Sequence, residues 1–256
     1  MKMKMKKIAL LLIIMIAFTS CSSDDNKASN IIVSVVNSQN WDGQDVTIDN
    51  IGTTEYTNEN GEVLKIDRLR YLISNVILTN SFGDEIEIGD YSLIDLSDAN
   101  SLSYAQDIVI PPGTYTNISF VYGFNEEDNV DQAYADLNTA TWNWPGMLGG
   151  GYHFMQLDGT FTNSSTVNPL PYNFHNGTAR VTDGVFEQNF ITVTIDDLSI
   201  DGNAIINIEM NLAQWFKNPN TWNLNEMATG LMGNYNAQIM MNENGRQSLF
   251  TVALEE

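Results

Sequence analysis

Residues 64–79 read LKIDRLRYLISNVILT, an apolar, β-branched run with no glycine or proline, and the fold follows from reading it as a strand. The same texture recurs along the chain. Further strands are predicted over Ile31–Val36, Glu85–Leu96, Ile108–Ile110, Tyr115–Tyr122, Tyr152–Thr162, Tyr172–Arg180, Glu187–Ile195, Ala204–Leu212 and Ser248–Leu254. Pro111-Pro112-Gly113 and Asp201-Gly202-Asn203 mark hard turns between neighbouring runs. Regular helices between strands are missing, which disfavours a parallel α/β fold. The predicted class is all-β, an antiparallel β-sandwich. One late helix is expected to lie on it, from the three-and-four spacing of Leu224, Met227, Ala228, Leu231, Tyr235 and Ile239.

The N-terminus has a different character. Lys2, Lys4, Lys6 and Lys7 precede an apolar run from Ile8 to Phe18, followed by Thr19-Ser20-Cys21. The run is shorter than the roughly 20 apolar residues of a membrane span and has the layout of an export signal. The ending resembles a bacterial lipobox, although Phe18 stands where leucine is usual. This implies that residues 1–20 are a lipoprotein signal peptide and that Cys21, the single cysteine, is the lipid attachment site. Residues 21–30, beginning Cys21-Ser22-Ser23-Asp24-Asp25, read as an acidic tether of the kind that leads surface lipoproteins outward. The expected location is the outer membrane, on its periplasmic face or at the cell surface. Residues 31–256 then form one β domain.

Loss of the signal leaves 7 Lys and Arg against 32 Asp and Glu, a net charge of −25. Such a surface repels phosphate, so nucleic acid is excluded as a partner. With Cys21 used for lipid, no disulfide forms within the chain.

No phosphate-cradling loop, nucleophile elbow or zinc-protease helix is present, and no enzyme is expected. The two histidines carry more information. His153 lies in Gly149-Gly150-Gly151-Tyr152-His153-Phe154-Met155 and His175 in Tyr172-Asn173-Phe174-His175-Asn176-Gly177. Read as strand residues, His153 shares a face with Met155, and His175 points away from Tyr172 and Phe174. Two imidazoles with a thioether would suit copper in either oxidation state. Spacing alone favours two isolated, hydrogen-bonded histidines and a core methionine.

The order of motifs shifts that balance. Trp142-Asn143-Trp144, a glycine turn, Gly151-Tyr152-His153, Leu157-Asp158-Gly159 and then Phe174-His175-Asn176-Gly177 resemble the MbnP-like family of copper-binding proteins, related to the MopE and CorA copper proteins. Arg70–Val76, Tyr91–Asp95, Ile110–Tyr115 and Trp215–Pro219 extend the likeness from about residue 31 onward. The resemblance implies a β-sandwich that holds copper, Cu(I) or Cu(II), through His175 and His153. It also implies Trp142 or Trp144 as a tryptophan oxidised to kynurenine by a partner di-haem enzyme. The run Pro145–Gly151 departs from the family pattern between the tryptophan pair and Tyr152. Met155 is the further ligand candidate. Asn125–Asp131 offers hard oxygens of the sort calcium takes, without an EF-hand arrangement.

A second reading is a glycan-binding surface module, in which Trp142, Trp144, Trp215 and Trp222 stack on sugar rings. A third is an adhesive sandwich stiffened by ions.

Overall fold

The computed structural model describes residues 29–163, 165 and 168–255. The signal segment, Cys21 and most of the 21–30 tether lie outside the described residues. In chain order the strands are β1 (Ile31–Trp41), β2 (Gln44–Asp45), β3 (Tyr56–Thr57), β4 (Val63–Asn80), β5 (Glu85–Asp95), β6 (Ser103–Ile110) and β7 (Tyr115–Tyr122). After the short helix α1 (Ala135–Thr139) come β8 (Met155–Thr162), β9 (Leu170–Asn176), β10 (Ala179–Thr182), β11 (Val185–Glu187), β12 (Ile191–Ile195) and β13 (Ala204–Asn211). Helix α2 (Tyr235–Gly245) precedes the last strand, β14 (Phe250–Glu255).

These strands make a sandwich. One sheet runs β14-β13-β1-β2 with β6 also on β1, and the other runs β12-β7-β4-β8-β9 with β3 and β5 also on β4. β10 and β11 form a separate hairpin. All pairings between these strands are antiparallel except one: β1 runs parallel to β13. Hairpin turns force antiparallel pairing only between sequence neighbours, and Val33 opposes Ala204 from the far end of the chain.

Alternation on the strands sends one row of side chains from each sheet into a shared core. Val33, Val35, Ile206 and Ile208 from the first sheet meet Leu69, Tyr71, Ile73, Phe120, Leu157 and Phe174 from the second. The burial is near complete, and no disulfide is needed to supplement it. Across the core, Gln39 Nε2 donates to the Tyr71 hydroxyl at 2.8 Å, a buried polar clip between β1 and β4.

β4 is the residue 64–79 stretch, and it is not regular. Its register against β8 slips between Ile66 and Arg68, so the inward row passes from Leu64 and Ile66 to Leu69, Tyr71 and Ile73. A bulge of this kind adds one residue and flips the later side chains to the other face. As a result Arg68 and Arg70 point off the outer face of the sheet, opposite Asp158 and Gln156 of β8. A second slip lies near Asn75, whose φ is +53°.

The late helix starts further on than the apolar spacing predicts. Residues 224–234 form turns and a 3-10 segment at Leu231–Gly233. α2 begins at Tyr235, where the Asn234 side chain accepts from the Ala237 N–H. Its buried face mixes Ala237 and Met241 with the amides Gln238 and Asn244, so hydrogen bonds hold it as much as apolar contact. Gln238 Nε2 donates to the His175 carbonyl at 2.8 Å, and Gln238 Oε1 accepts from Gly177 N–H at 3.1 Å.

Replacing Tyr71 by Phe leaves the Gln39 amide buried without its acceptor. The expected outcome in urea unfolding is a loss of about 1–3 kcal/mol with the slope unchanged, because an orphaned buried donor carries its full desolvation cost.

Candidate metal centre

The site is built where one edge of β4 changes partner. Leu72 N–H donates to Phe154 C=O at 2.9 Å, and Leu72 C=O accepts from Gly123 N–H at 2.9 Å. Residues before Leu72 therefore pair with β8 and those after it with β7. The chain leaves the sheet at Gly123 and rejoins it at Phe154, and the intervening residues fold back over the outer face. There Leu72, Phe124, Leu137, Trp142 and Tyr152 form a second small core, with Tyr91, Leu93 and Tyr134 against it.

His153 is the last residue before this excursion rejoins the sheet. It precedes β8 rather than lying within a strand, which corrects the strand reading. Its N–H donates to Trp142 C=O at 2.9 Å, and Trp144 N–H donates to Gly151 C=O at 2.9 Å. The Pro145–Gly151 run thus closes on itself and returns the chain to its starting point. Gly149, Gly150 and Gly151 make this possible, all with positive φ (118°, 68° and 76°). A Cβ on Gly151 would also stand 2.2 Å from Asn129 Oδ1.

Both tryptophans consequently flank His153. The ring centroids are 5.3 Å apart for Trp142 and 4.9 Å for Trp144. His175 completes the group from β9, its ring centroid 5.4 Å from that of His153 and the planes 83° apart. Trp144 lies against Gly177, where a Cβ would come within 2.6 Å of the indole. Arg70 places its guanidinium carbon 4.9 Å from the centre of the Trp142 ring and donates to Gln156 Oε1 at 2.7 Å.

The two imidazoles are prepared differently. His175 Nε2 lies 2.8 Å from Asp158 Oδ1, which also accepts from Asn173 Nδ2 at 2.6 Å, while Arg68 Nε donates to Asp158 Oδ2 at 2.7 Å. Burial pushes the Asp158 carboxyl up, but these bonds from His175, Asn173 and Arg68 outweigh it and hold it down at about 2. An ionised Asp158 accepts from His175 Nε2–H and so orients the ring through that nitrogen, leaving Nδ1 outside the bond. This is the carboxylate–histidine arrangement that orients metal ligands.

His153 is 5% exposed, and its Nδ1 is buried without a hydrogen-bond partner. Burial, reinforced by His175, Arg70 and Arg68, pushes its pKa down to about 3. The ring is therefore neutral at physiological pH, and a metal need displace no proton from it. Ligating nitrogens sit about 2 Å from a metal, so imidazoles sharing one ion keep their centroids within about 6 Å. The observed separation meets that limit.

The remaining candidate residues fall elsewhere. Met155 opposes Asn176 and Tyr71, is fully buried, and belongs to the inter-sheet core, on the opposite face from His175. Its expected place beside His153 is thus corrected. Met147, the thioether inside the Pro145–Gly151 run, is 78% exposed. In Asn125–Asp131 three of the side-chain oxygens are used within the fold: Asn125 Oδ1 accepts from Asp128 N–H, Asp128 Oδ2 from Asn75, and Asn129 Oδ1 from Tyr152 N–H. Among the described residues, no three His, Cys, Asp or Glu side chains converge as a metal-holding group. Trp142, Trp144, Trp215 and Trp222 are at most 1% exposed, which removes the stacking platform that glycan binding required.

Sequence reasoning misses Asp158, Arg68 and Arg70 as partners of the site. Asp158 has a signal in the sequence, as a polar residue alternating with Leu157 on an otherwise apolar strand, whereas Arg68 and Arg70 reach the site through the bulge at Ile66–Arg68.

Comparison with known proteins bears on the same region. The MbnP family matches residues 32–241, a span that includes both histidines and both flanking tryptophans. The chain belongs to the MbnP family. Among solved structures, this MbnP-family chain is similar to MbnP from Methylosinus trichosporium, with a TM-score of 0.56 and 15% identity, covering 89% of this chain and 100% of that one. At that identity the likeness speaks for the shared fold. No curated protein sequence matches the chain.

The depressed His153 pKa has a consequence for stability. Unfolded, the ring takes up a proton as pH falls through 6.5, while the folded ring stays neutral until about 3. The unfolded state thus binds more protons in that window, and stability is lost as pH falls. Asp158 acts in the same direction only lower, between 3.8 and about 2. In metal-free protein, urea midpoints should decline already below about pH 6.5, and His153→Gln should flatten the profile down to about pH 4. Superimposable profiles would contradict the assignment.

Proposed function

We propose that this MbnP-family protein is an exported, lipid-anchored copper-binding protein that captures or stores copper without catalysing a reaction. One copper ion, as Cu(I) or Cu(II), would be its cargo, held by His153 and His175. The observation that carries this reading is the 5.4 Å approach of the two rings, with a buried, unpartnered nitrogen on one and a carboxylate-oriented proton on the other.

Two histidines leave an ion open to a further ligand, and the tryptophans are the nearest candidates. Trp144 Nε1 already donates to the Leu148 carbonyl at 3.1 Å, whereas Trp142 Nε1 is buried with no partner. Trp142 is therefore the residue we assign to oxidation. Oxidative cleavage of its pyrrole C2–C3 bond with two oxygen atoms added, followed by hydrolytic loss of C2 as formate, would leave an aromatic amine on the ring that lies beside His153. A di-haem oxidase is the partner class that would supply the oxidising equivalents, as the family resemblance implies. The lipidated Cys21, an acidic tether and an outer-membrane location rest on the N-terminal sequence. Strong negative charge favours this setting further, since it draws cations toward the surface.

Elemental analysis of protein purified from its native envelope tests the reading, beside a His153→Ala/His175→Ala variant. About one copper per chain should be present in the former and absent from the latter. Intact mass should report kynurenine in the native protein, lost in Trp142→Phe and kept in Trp144→Phe. Unchanged copper in the histidine variant would overturn the site, and a modification that survives Trp142→Phe would overturn the choice of tryptophan.

A further inference from the structure

Trp142 is fully buried, so an oxidant that stays outside the protein cannot touch its indole. A line of aromatic rings nevertheless joins it to the surface. Trp142 and Tyr152 pack together in the small outer core. The Tyr152 ring centroid lies 5.5 Å from that of Tyr134, which in turn lies 4.7 Å from that of Tyr91. Tyr91, half-buried on β5, ends the line, and its hydroxyl donates to the exposed Asp136 carboxylate at 2.7 Å. At the inner end the line reaches the histidine pair, since the His153 ring stands 5.3 Å from that of Trp142. Trp144 starts no such line: beyond His153 it meets Gly177 and the Leu148 carbonyl.

Packing asks only for rings here, yet the line from Trp142 outward runs through three phenols. Tyrosine and tryptophan are the aromatic side chains that give up single electrons most readily. Electrons also cross a series of short ring-to-ring gaps far faster than one long gap. A tyrosine is oxidised easily only when its phenolic proton can leave with the electron, and Tyr91 has a carboxylate placed to take it. Burial, then the bond to Asp136, push the Tyr91 pKa up, so at rest the proton is on the phenol. We propose that Tyr152, Tyr134 and Tyr91 carry single electrons from Trp142 to a one-electron oxidant at the surface, a path that rests on the reading of Trp142 as the oxidised tryptophan.

In each passage the oxidant gains one electron from Tyr91, whose proton moves to Asp136. Trp142 then supplies an electron to Tyr91 through Tyr152 and Tyr134, and the proton returns to the Tyr91 oxygen. The net change is one electron lost by Trp142 and one gained by the oxidant. Arg70, 4.9 Å from the centre of the Trp142 ring, disfavours positive charge there. Oxidation is therefore drawn inward only as fast as a further reaction at the indole consumes it.

Flash-generated tris(bipyridine)ruthenium(III), a one-electron oxidant too large to enter the core, tests the path on the full chain freed of copper, in aerated solution. Peptide mass mapping should find oxygen added to Trp142 from dissolved O2 well above that on Trp215 and Trp222, which are as buried but belong to the inter-sheet core. That excess should be lost in Tyr91→Phe and in Tyr134→Phe, variants that keep the rings and remove the phenols. Tyr235→Phe should retain it, because Tyr235 makes the same bond to a carboxylate, Glu187 at 2.7 Å, away from the line. No excess on Trp142 in the parent protein would overturn the proposal. So would an excess that survives Tyr134→Phe, which decides the matter if Tyr91→Phe folds poorly. Kynurenine missing from the native protein while the flash experiment still shows the excess would fault the choice of modified tryptophan and leave the path supported.

Discussion

Two backbone hydrogen bonds at Leu72 set the plan of this molecule. By accepting from Gly123 and donating to Phe154, one residue of the central strand ends its pairing with β8 and begins its pairing with β7 on the same edge. The chain between those partners has no place in the sheet. It is driven onto the outer face, where Leu72, Phe124, Trp142 and Tyr152 bury one another in a second core. The histidine that rejoins the sheet is carried beneath this cover, between two indoles.

The bulge at Ile66–Arg68 supplies the other half of the arrangement. It turns Arg68 and Arg70 outward, onto the same face as Gln156, Asp158 and His175. A chain with a large excess of acids thereby places two of its few cations beside the histidine pair. Hydrogen bonds from His175, Asn173 and Arg68 keep Asp158 ionised, Asp158 orients His175, and Arg70 covers Trp142. Desolvation keeps His153 neutral. Together these steps prepare one neutral buried nitrogen on His153 and an oriented ring on His175, rather than a charged surface patch.

Much of this was legible from the residues. β4, β5, β7, β8, β9, β13 and β14 stand close to where alternation and turn residues put them, because half-buried strands impose a period of two. The His175 face was also readable, since Tyr172 and Phe174 enter the core on regular strand geometry. Bulges were not readable: Arg68 and Arg70 change faces through one extra residue that no pattern announces. The position of Met155 failed for a related reason, as His153 belongs to the excursion and does not share the alternation of β8. The start of α2 was misplaced because its buried face rests on Gln238 and Asn244, whose contribution lies in hydrogen bonds that hydrophobic spacing does not register. The closing of the Pro145–Gly151 run depended on three successive positive-φ glycines, a backbone property that the departure from the family pattern concealed.

The position of the copper ion decides whether the histidine pair is the centre proposed for it. The most direct measurement is anomalous diffraction at the copper edge from crystals of the protein isolated from its native envelope. A single anomalous peak within bonding distance of His153 and His175, on the outer face beside Trp142, is the predicted result. A peak elsewhere, or histidines that stay hydrogen-bonded without metal while copper occupies another site, would contradict it.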